Sequence, residues 1–141
     1  MQGEQGIWDA VRDRTDLRAV KEALKTMKKG TAPGPSGVTY DTLGYLRDEH
    51  LMPLVNIVND SISGKPIKQE MNRALLRPLA KTDQGLADLA KTRPISLMEA
   101  MLKLTERVIF TRVMKVLKEH NMLRCEQHGS LQSRSAKAPI R

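Results

Sequence analysis

Apolar residues recur at helical spacing in the first third of the chain and predict two helices there. The first follows Asp16, whose carboxylate suits the N-cap position, and Gly30 is its expected stop. Its apolar stripe consists of Ala19, Val20, Ala23, Leu24 and Met27. Thr39 suits the N-cap of a second, shorter helix. Each helix is expected to bury one face and to leave its polar face in solvent.

Two longer apolar stripes predict two further helices. One extends from about Leu51 to Ser63, with Pro53 in its first turn and Gly64 as its stop. The other begins near Met98 and keeps helical periodicity for about 20 residues, which makes it the expected centre of the core. A chain of 141 residues with such stripes is long enough for one domain.

Between the first two helices lies Thr31–Gly37, TAPGPSG, with two prolines and two glycines in seven residues. Proline fixes φ and glycine permits positive φ, so the segment is predicted to be a stiff turn of defined shape. A turn of this kind serves either the packing of the chain or the binding of a ligand. The pattern alone leaves both interpretations open.

The stretch from Ala74 to Leu97 contains two short apolar runs, each with basic residues, on either side of a polar loop around Gly85. The first run alternates between two sides, which favours a half-buried strand over a helix. Pro78 and Pro94 each remove a ladder donor and therefore confine both runs to edge positions. We predict an antiparallel β-ribbon within a mainly α fold of the α+β class.

Positive charge is concentrated in the second half of the chain. The formal net charge is +8, with −1 over residues 1–64 and +9 over residues 65–141. This asymmetry favours nucleic acid over membrane as the partner, because no basic segment carries a Trp or Phe face that suits a bilayer. The chain has only four aromatic residues, which argues against the base-stacking surface of single-strand binders.

Within the predicted ribbon, Lys81 and Arg93 lie at the two ends of the polar loop, so antiparallel pairing is expected to bring them close together. Like charges held together cost free energy unless an anion neutralises them. One interpretation is a phosphate grip, in which Arg93 offers a planar fork and Lys81 a mobile point charge. The other is a pair of solvated side chains, which the charge pattern does not exclude.

The cysteine and histidine residues do not predict a metal site, and the distribution of apolar residues does not predict a membrane protein. Cys125 is the single cysteine, so no internal disulfide forms and an intracellular location, nucleus or cytoplasm, is expected. With His120 and His128 it supplies three zinc ligands where a structural site has four. We find no signal peptide and no apolar run of about 18 residues, so no membrane contact is expected.

Taken in order, four segments resemble the N-terminal fingers region of reverse transcriptases, particularly those of non-LTR retroelements. They are APGPSGV (Ala32–Val38), the ribbon with Lys81 and RPISL (Arg93–Leu97), KLTERVIFTR (Lys103–Arg112) and Gln127-His128-Gly129. The similarity covers roughly residues 19–135. It implies the fingers subdomain of a right-hand polymerase fold over residues 1–135, with a polar basic tail over 136–141.

In that family the ribbon closes over the incoming deoxynucleotide triphosphate. The resemblance implies that Lys81 and Arg93 contact this triphosphate. It also implies that five residues of the turn and the tail lie near the template strand: Pro33, Gly34, Gly37, Gln127 and Gly129. The family commonly has an aromatic residue directly after that last glycine, where this chain has Ser130.

Nucleotidyl transfer needs carboxylates that hold two Mg²⁺ ions, and in the family these belong to F-x-D and Y-x-D-D motifs of the downstream palm. Neither motif occurs in the 141 residues, and we interpret Asp83 and Asp88 as solvent-facing loop residues. We therefore assign no catalytic residue, metal or cofactor to this chain, and expect no polymerisation by it alone.

The expected partners are an RNA or DNA template-primer, the nucleotide triphosphate and the missing palm region. The alternatives are a stand-alone basic RNA-binding module and a degenerate retroelement remnant without catalysis.

Overall fold

A computed structural model describes residues 6–81 and 89–124. The helices are α1 (Asp9–Arg12), α2 (Leu17–Thr26), α3 (Tyr40–Gly44), α4 (Asp48–Ile62) and α5 (Ala100–Glu119). The strands are β1 (Ala74–Ala80) and β2 (Thr92–Met98), and a short 3-10 helix over Leu89–Lys91 leads into β2. This part of the chain is therefore helix-rich, with one two-stranded antiparallel sheet.

Two helices begin at the N-caps that the sequence predicts. The Asp16 carboxylate accepts a hydrogen bond from the Ala19 N–H at 2.8 Å. The Thr39 hydroxyl accepts one from the Thr42 N–H at 3.1 Å. Each side chain satisfies an amide of the first turn that has no partner within its helix, and so fixes where the helix begins.

Two helix ends differ from the prediction. The C-cap of α2 is Met27, in an extended conformation, so Gly30 (φ +66°) belongs to the following loop and does not end the helix. α4 begins at Asp48, earlier than its apolar stripe indicates, because Asp48 and Glu49 are polar and add nothing to that stripe. Pro53 consequently lies inside α4 rather than in its first turn. Pro53 has no N–H to donate to the carbonyl four residues earlier in the helix. Because Pro53 is exposed, water can reach that carbonyl.

The core lies where α2, α4 and α5 meet, with α3 closing one side. Leu104 of α5, Val20 of α2 and Val58 of α4 are completely buried. The buried cluster consists of Val20, Ala23, Leu24, Leu43, Leu51, Leu54, Val55, Val58, Ala100, Leu104 and Val108. Burying each large aliphatic side chain contributes about 1.5–3 kcal/mol, so this cluster holds the helices together. None of its members belongs to the ribbon.

Two polar side chains attach the N-terminal segment to this core. Asn59 of α4 is buried; its Oδ1 accepts from the Thr15 N–H at 2.7 Å, and its Nδ2 donates to the Thr15 carbonyl at 3.1 Å. The Arg112 guanidinium of α5 donates to the carbonyls of Val11, Asp13 and Arg14. Together they hold the end of α1 and the start of α2 against the helical body.

The ribbon strands pair antiparallel along their whole length. The Lys81 N–H donates to the Lys91 carbonyl at 2.9 Å, which extends the ladder beyond β1. Hydrogen-bonded and non-hydrogen-bonded pairs alternate in such a ladder, so Pro78 and Pro94, which face each other, form a non-hydrogen-bonded pair. Each proline nitrogen therefore points away from the partner strand, and neither proline costs the ribbon a hydrogen bond.

The ribbon is more exposed than its alternating pattern predicts. All seven residues of β1 are exposed, and Leu76 keeps 71% of its surface in solvent. The expectation of a half-buried strand is therefore wrong for this chain. None of the described helices covers β1, so its apolar side chains meet water on both faces.

Candidate functional site

The pairing register sorts the ribbon side chains into two faces of different character. Residues opposite each other share a face, and successive residues of a strand alternate between faces. One face, called here the basic face, consists of Leu75, Arg77, Leu79, Lys81, Lys91, Arg93, Ile95 and Leu97. The other face carries no charge and consists of Ala74, Leu76, Pro78, Ala80, Thr92, Pro94, Ser96 and Met98. All four cations of the paired segment thus point the same way.

Lys81 and Arg93 are diagonal neighbours on the basic face. Arg93 faces Leu79, two positions before Lys81. Diagonal neighbours in a ribbon have Cβ atoms about 7–8 Å apart or less, within joint reach of one phosphate group. The Lys81 ammonium donates to the Ala90 carbonyl at 3.2 Å, which leaves two of its three donors for a ligand. The structure therefore brings the two predicted residues together; their contact with a triphosphate stays a prediction.

Arg77 and Lys91 complete the basic face, and the sequence pattern did not single them out. Lys91 lies directly opposite Lys81, and Arg77 is the other diagonal neighbour of Arg93. All four cations are exposed, and none takes part in an ion pair within the described part of the chain. Alternation along β1 is the signal that places Arg77 beside Lys81. Lys91 needs the register, which follows once Pro78 and Pro94 are placed opposite each other.

The turn Thr31–Gly37 packs against the junction of β2 and α5. The Ser36 N–H donates to Oε1 of Glu99 at 2.9 Å, and the Ser36 hydroxyl donates to Oε2 at 2.5 Å. Glu99 is only 5% exposed. A Cβ atom on Gly34 would lie 2.7 Å from the carbonyl carbon and oxygen of Met98, so only glycine fits this contact. Packing therefore accounts for the shape of the turn.

The residues predicted to lie near a template are only partly described. Gly34 is buried, Pro33 is half-buried, and Gly37 is exposed with φ +75°. Gln127 and Gly129 lie outside the described residues, so their template contact stays a prediction. Six other residues discussed above also lie outside them: Asp83, Gly85, Asp88, Cys125, His128 and Ser130. Within residues 6–81 and 89–124, no cluster of three His, Cys, Asp or Glu residues is placed to hold a metal ion.

A groove of about 720 Å³ lies beside the basic face, between the end of α2, the turn and α5. Its lining includes Lys28, Tyr40, Lys103, Glu106, Arg107 and Phe110. Leu97, the last member of the basic face, also lines it, so the face and the groove adjoin. Three cations against one carboxylate make this groove positive.

Burial raises the pKa of the Tyr40 hydroxyl above its ordinary value. The neighbouring Arg107 charge opposes this shift in pKa, and Glu106 adds to it. Deprotonation of Tyr40 is therefore disfavoured by its own burial. At neutral pH the groove presents a protonated hydroxyl, which both donates and accepts hydrogen bonds.

Within the described residues, no helix is long and apolar enough to cross a membrane.

The chain is 28% identical over 102 residues to the RNA-directed DNA polymerase from mobile element jockey of Drosophila funebris. The aligned region covers 72% of this chain and 11% of that polymerase, so the chain spans a small part of its relative's length. No protein-family model matches the chain, and no solved structure matches it. The similarity to the mobile-element polymerase supports a reverse-transcriptase-like region in this chain.

Proposed function

We propose that this chain is the fingers part of an RNA-directed DNA polymerase of non-LTR type, and that its basic face contacts the triphosphate of the incoming nucleotide. Lys81 and Arg93 are the principal contacts. The proposal rests on the pairing register, because four cations and no carboxylate share one exposed face. The similarity to a mobile-element polymerase supports the assignment to polymerases.

The charges of the basic face suit a triphosphate. Arg93 offers two parallel N–H donors to a phosphate, and Lys81 offers a mobile point charge. Like charges on neighbouring positions of a ribbon repel one another, so the ligand-free face is electrostatically unfavourable. A triphosphate removes this repulsion and forms charge-assisted hydrogen bonds, which are roughly twice as strong as neutral ones.

This proposal gives the ribbon a binding and positioning role. Phosphoryl transfer depends mainly on the position of the reactants and on metal ions that neutralise the developing charge. We assign the Mg²⁺ ions to carboxylates of a palm region and the template contacts to the turn and the tail. RNA-templated DNA synthesis is then the activity of the assembled enzyme.

The first test is to sequence the encoding transcript beyond the codon for Arg141. An open frame that continues into an F-x-D and then a Y-x-D-D motif supports the polymerase. A stop codon at that point contradicts it.

The second test uses the polymerase encoded by such a frame and compares two double variants. Lys81→Ala/Arg93→Ala is expected to raise KM for the nucleotide at least about tenfold, since each charged hydrogen bond contributes about 1.5–3 kcal/mol. KM for the template-primer should change less than about twofold. Lys68→Ala/Lys118→Ala removes two exposed cations that belong to neither strand of the ribbon and should leave both constants unchanged. Equal effects of the two double variants would refute the triphosphate role.

A second candidate is a stand-alone module that holds RNA through its phosphates. The net charge of +9 over residues 65–141 favours it. This candidate predicts that affinity for RNA falls steeply with salt and depends little on sequence. Because many cations share the binding, Lys81→Ala/Arg93→Ala should weaken it only modestly.

A further inference from the structure

We propose that the groove beside the basic face is a second ligand site, and that it binds a nucleotide unit. Its phosphate contacts Lys103 and Arg107, with Lys28 at the edge, and its base packs on Phe110. The site involves none of the four cations of the ribbon. It therefore stands or falls independently of the triphosphate role proposed for Lys81 and Arg93.

Separate elements of the fold converge to build the groove. Lys103, Arg107 and Phe110 are four and seven positions apart on α5, which places them on one face of that helix. Lys28 follows the end of α2, and Tyr40 is the first residue of α3. The volume of about 720 Å³ is within the range of about 300–1,000 Å³ that is usual for small-ligand sites.

The cations of the groove have no anionic partner in the described part of the chain. Lys103 and Arg107 are half-buried, and neither they nor Lys28 form an ion pair there. Glu106 is the carboxylate of the lining; it is exposed and forms no ion pair among these residues either. Partial burial removes some hydration from the two α5 cations without a compensating contact. A phosphate supplies that contact.

The aromatic lining indicates a ligand with an aromatic part. Phe110 is a large apolar residue of α5 that keeps 49% of its surface exposed at the groove. Tyr40 contributes a protonated hydroxyl nearby. Two of the four aromatic residues of the chain thus meet at one groove, although their scarcity argued against any base-stacking surface. Phosphate contacts combined with base stacking are the usual means of holding single-stranded nucleic acid.

The groove adjoins the basic face, so a nucleic-acid strand bound in the groove can continue onto the ribbon. Leu97 lines the groove and belongs to the basic face. It lies four residues from Arg93 along β2, which is about 13 Å at the rise of a β-strand. A nucleic-acid strand held in the groove can therefore extend toward the cations of the basic face.

The test measures binding of a fluorescent single-stranded RNA of about 12 nucleotides to the 141-residue chain by anisotropy. Lys103→Gln/Arg107→Gln is expected to weaken binding at least about tenfold at about 50 mM salt. It should also reduce the slope of log affinity against log salt by about 1.4, since each phosphate contact to a single strand contributes about 0.7. The control Lys68→Gln/Lys118→Gln removes the same charge elsewhere and should change affinity less than about twofold.

Phe110 provides a measurement that does not depend on charge. Phe110→Ala should weaken RNA binding about fivefold or more, and Phe110→Tyr should retain it, because any aromatic ring offers a face to a base. Phe110 is exposed enough that its replacement leaves the fold intact, which far-ultraviolet circular dichroism verifies. Competition by adenosine monophosphate indicates a site for a free nucleotide. Competition by unlabelled RNA alone indicates a site for a strand.

Two results would overturn the inference. In one, the groove and control double variants lose affinity equally, which means that only net charge matters. In the other, neither the groove variants nor Phe110→Ala change RNA binding, as expected if the groove receives a protein segment of a larger assembly. If Lys81→Ala/Arg93→Ala alone weakens nucleotide binding in either case, the proposed function stands and the second site does not.

Discussion

Gly34→Ala tests how the turn is attached to the junction of β2 and α5. The new Cβ would lie 2.7 Å from the carbonyl carbon and oxygen of Met98 and 2.8 Å from the Glu99 nitrogen. All three are backbone atoms fixed by the strand and the helix, so the turn itself must move. Overpacking of this kind costs about 1–3 kcal/mol. Separating Ser36 from the buried Glu99 carboxylate costs about 1–3 kcal/mol more.

We therefore expect Gly34→Ala to lower the free energy of unfolding by about 4 kcal/mol and Tm by more than about 10 °C. Urea unfolding followed by circular dichroism measures the first quantity, and a thermal scan measures the second. Gly44→Ala is the matched control, because no atom lies within 4 Å of its added Cβ. It should be neutral or stabilising by up to about 1 kcal/mol. A Gly34→Ala protein within about 1 kcal/mol of the parent would show that the turn does not close against this junction.

Three further substitutions probe the body of the protein. Asp16→Ala removes the N-cap of α2 and should cost about 1 kcal/mol in urea unfolding, whereas Asp16→Asn should cost much less. Asn59→Ala removes both hydrogen bonds to Thr15 and leaves buried backbone groups unpaired, so a loss of about 2–3 kcal/mol is expected; a loss below about 1 kcal/mol would contradict that account. Tyr40 has a folded pKa raised above its ordinary 10.0, so its contribution to stability is complete below that pH and is lost as the pH rises through the folded pKa. Unfolding between about pH 9 and 11 should therefore show the parent losing stability relative to Tyr40→Phe, and parallel curves would refute this.

The helices were predictable because their signals are local. Asp16 caps α2 where its side chain and the following apolar stripe indicate. The start of α4 was not predictable in the same way, since Arg47 gives it no side-chain cap and its first turn is polar. The sequence pattern consequently predicts Pro53 in the first turn of α4, whereas it lies inside the helix. Capping and periodicity thus locate a helix well only where both are present.

The ribbon was predictable in its pairing and not in its burial. Pro78 and Pro94 limited both strands to edges, and the described sheet has two strands. Burial of a strand, however, depends on what packs against it, and alternation along β1 carries no information about that neighbour. Alternation along β1 already places Arg77 on the same side as Lys81, whereas the membership of Lys91 in the basic face also required the register.

The groove was beyond the reach of the sequence pattern. Lys103 and Arg107 lie on the long amphipathic helix, where basic residues usually form a solvated face. Lys28 and Tyr40 reach the same groove from other elements, so only the packing of α2 on α5 and of α3 on α2 brings them together. The four-residue and seven-residue spacings from Lys103 to Arg107 and Phe110 were visible, but nothing in them distinguishes a binding site from solvent.

The facing prolines of the ribbon also bear on how the chain behaves at high concentration. An uncovered ribbon with exposed apolar side chains offers two open edges, and such edges recruit strands of other molecules into aggregates. Because Pro78 and Pro94 occupy a non-hydrogen-bonded pair, the amide that each one lacks is an amide of the outer edge. A strand added on either side therefore meets a missing donor within the paired segment, and the cations of the basic face repel a second copy. The prolines allow the chain to display a β-ribbon that none of the described helices covers and still resist stacking into intermolecular sheets.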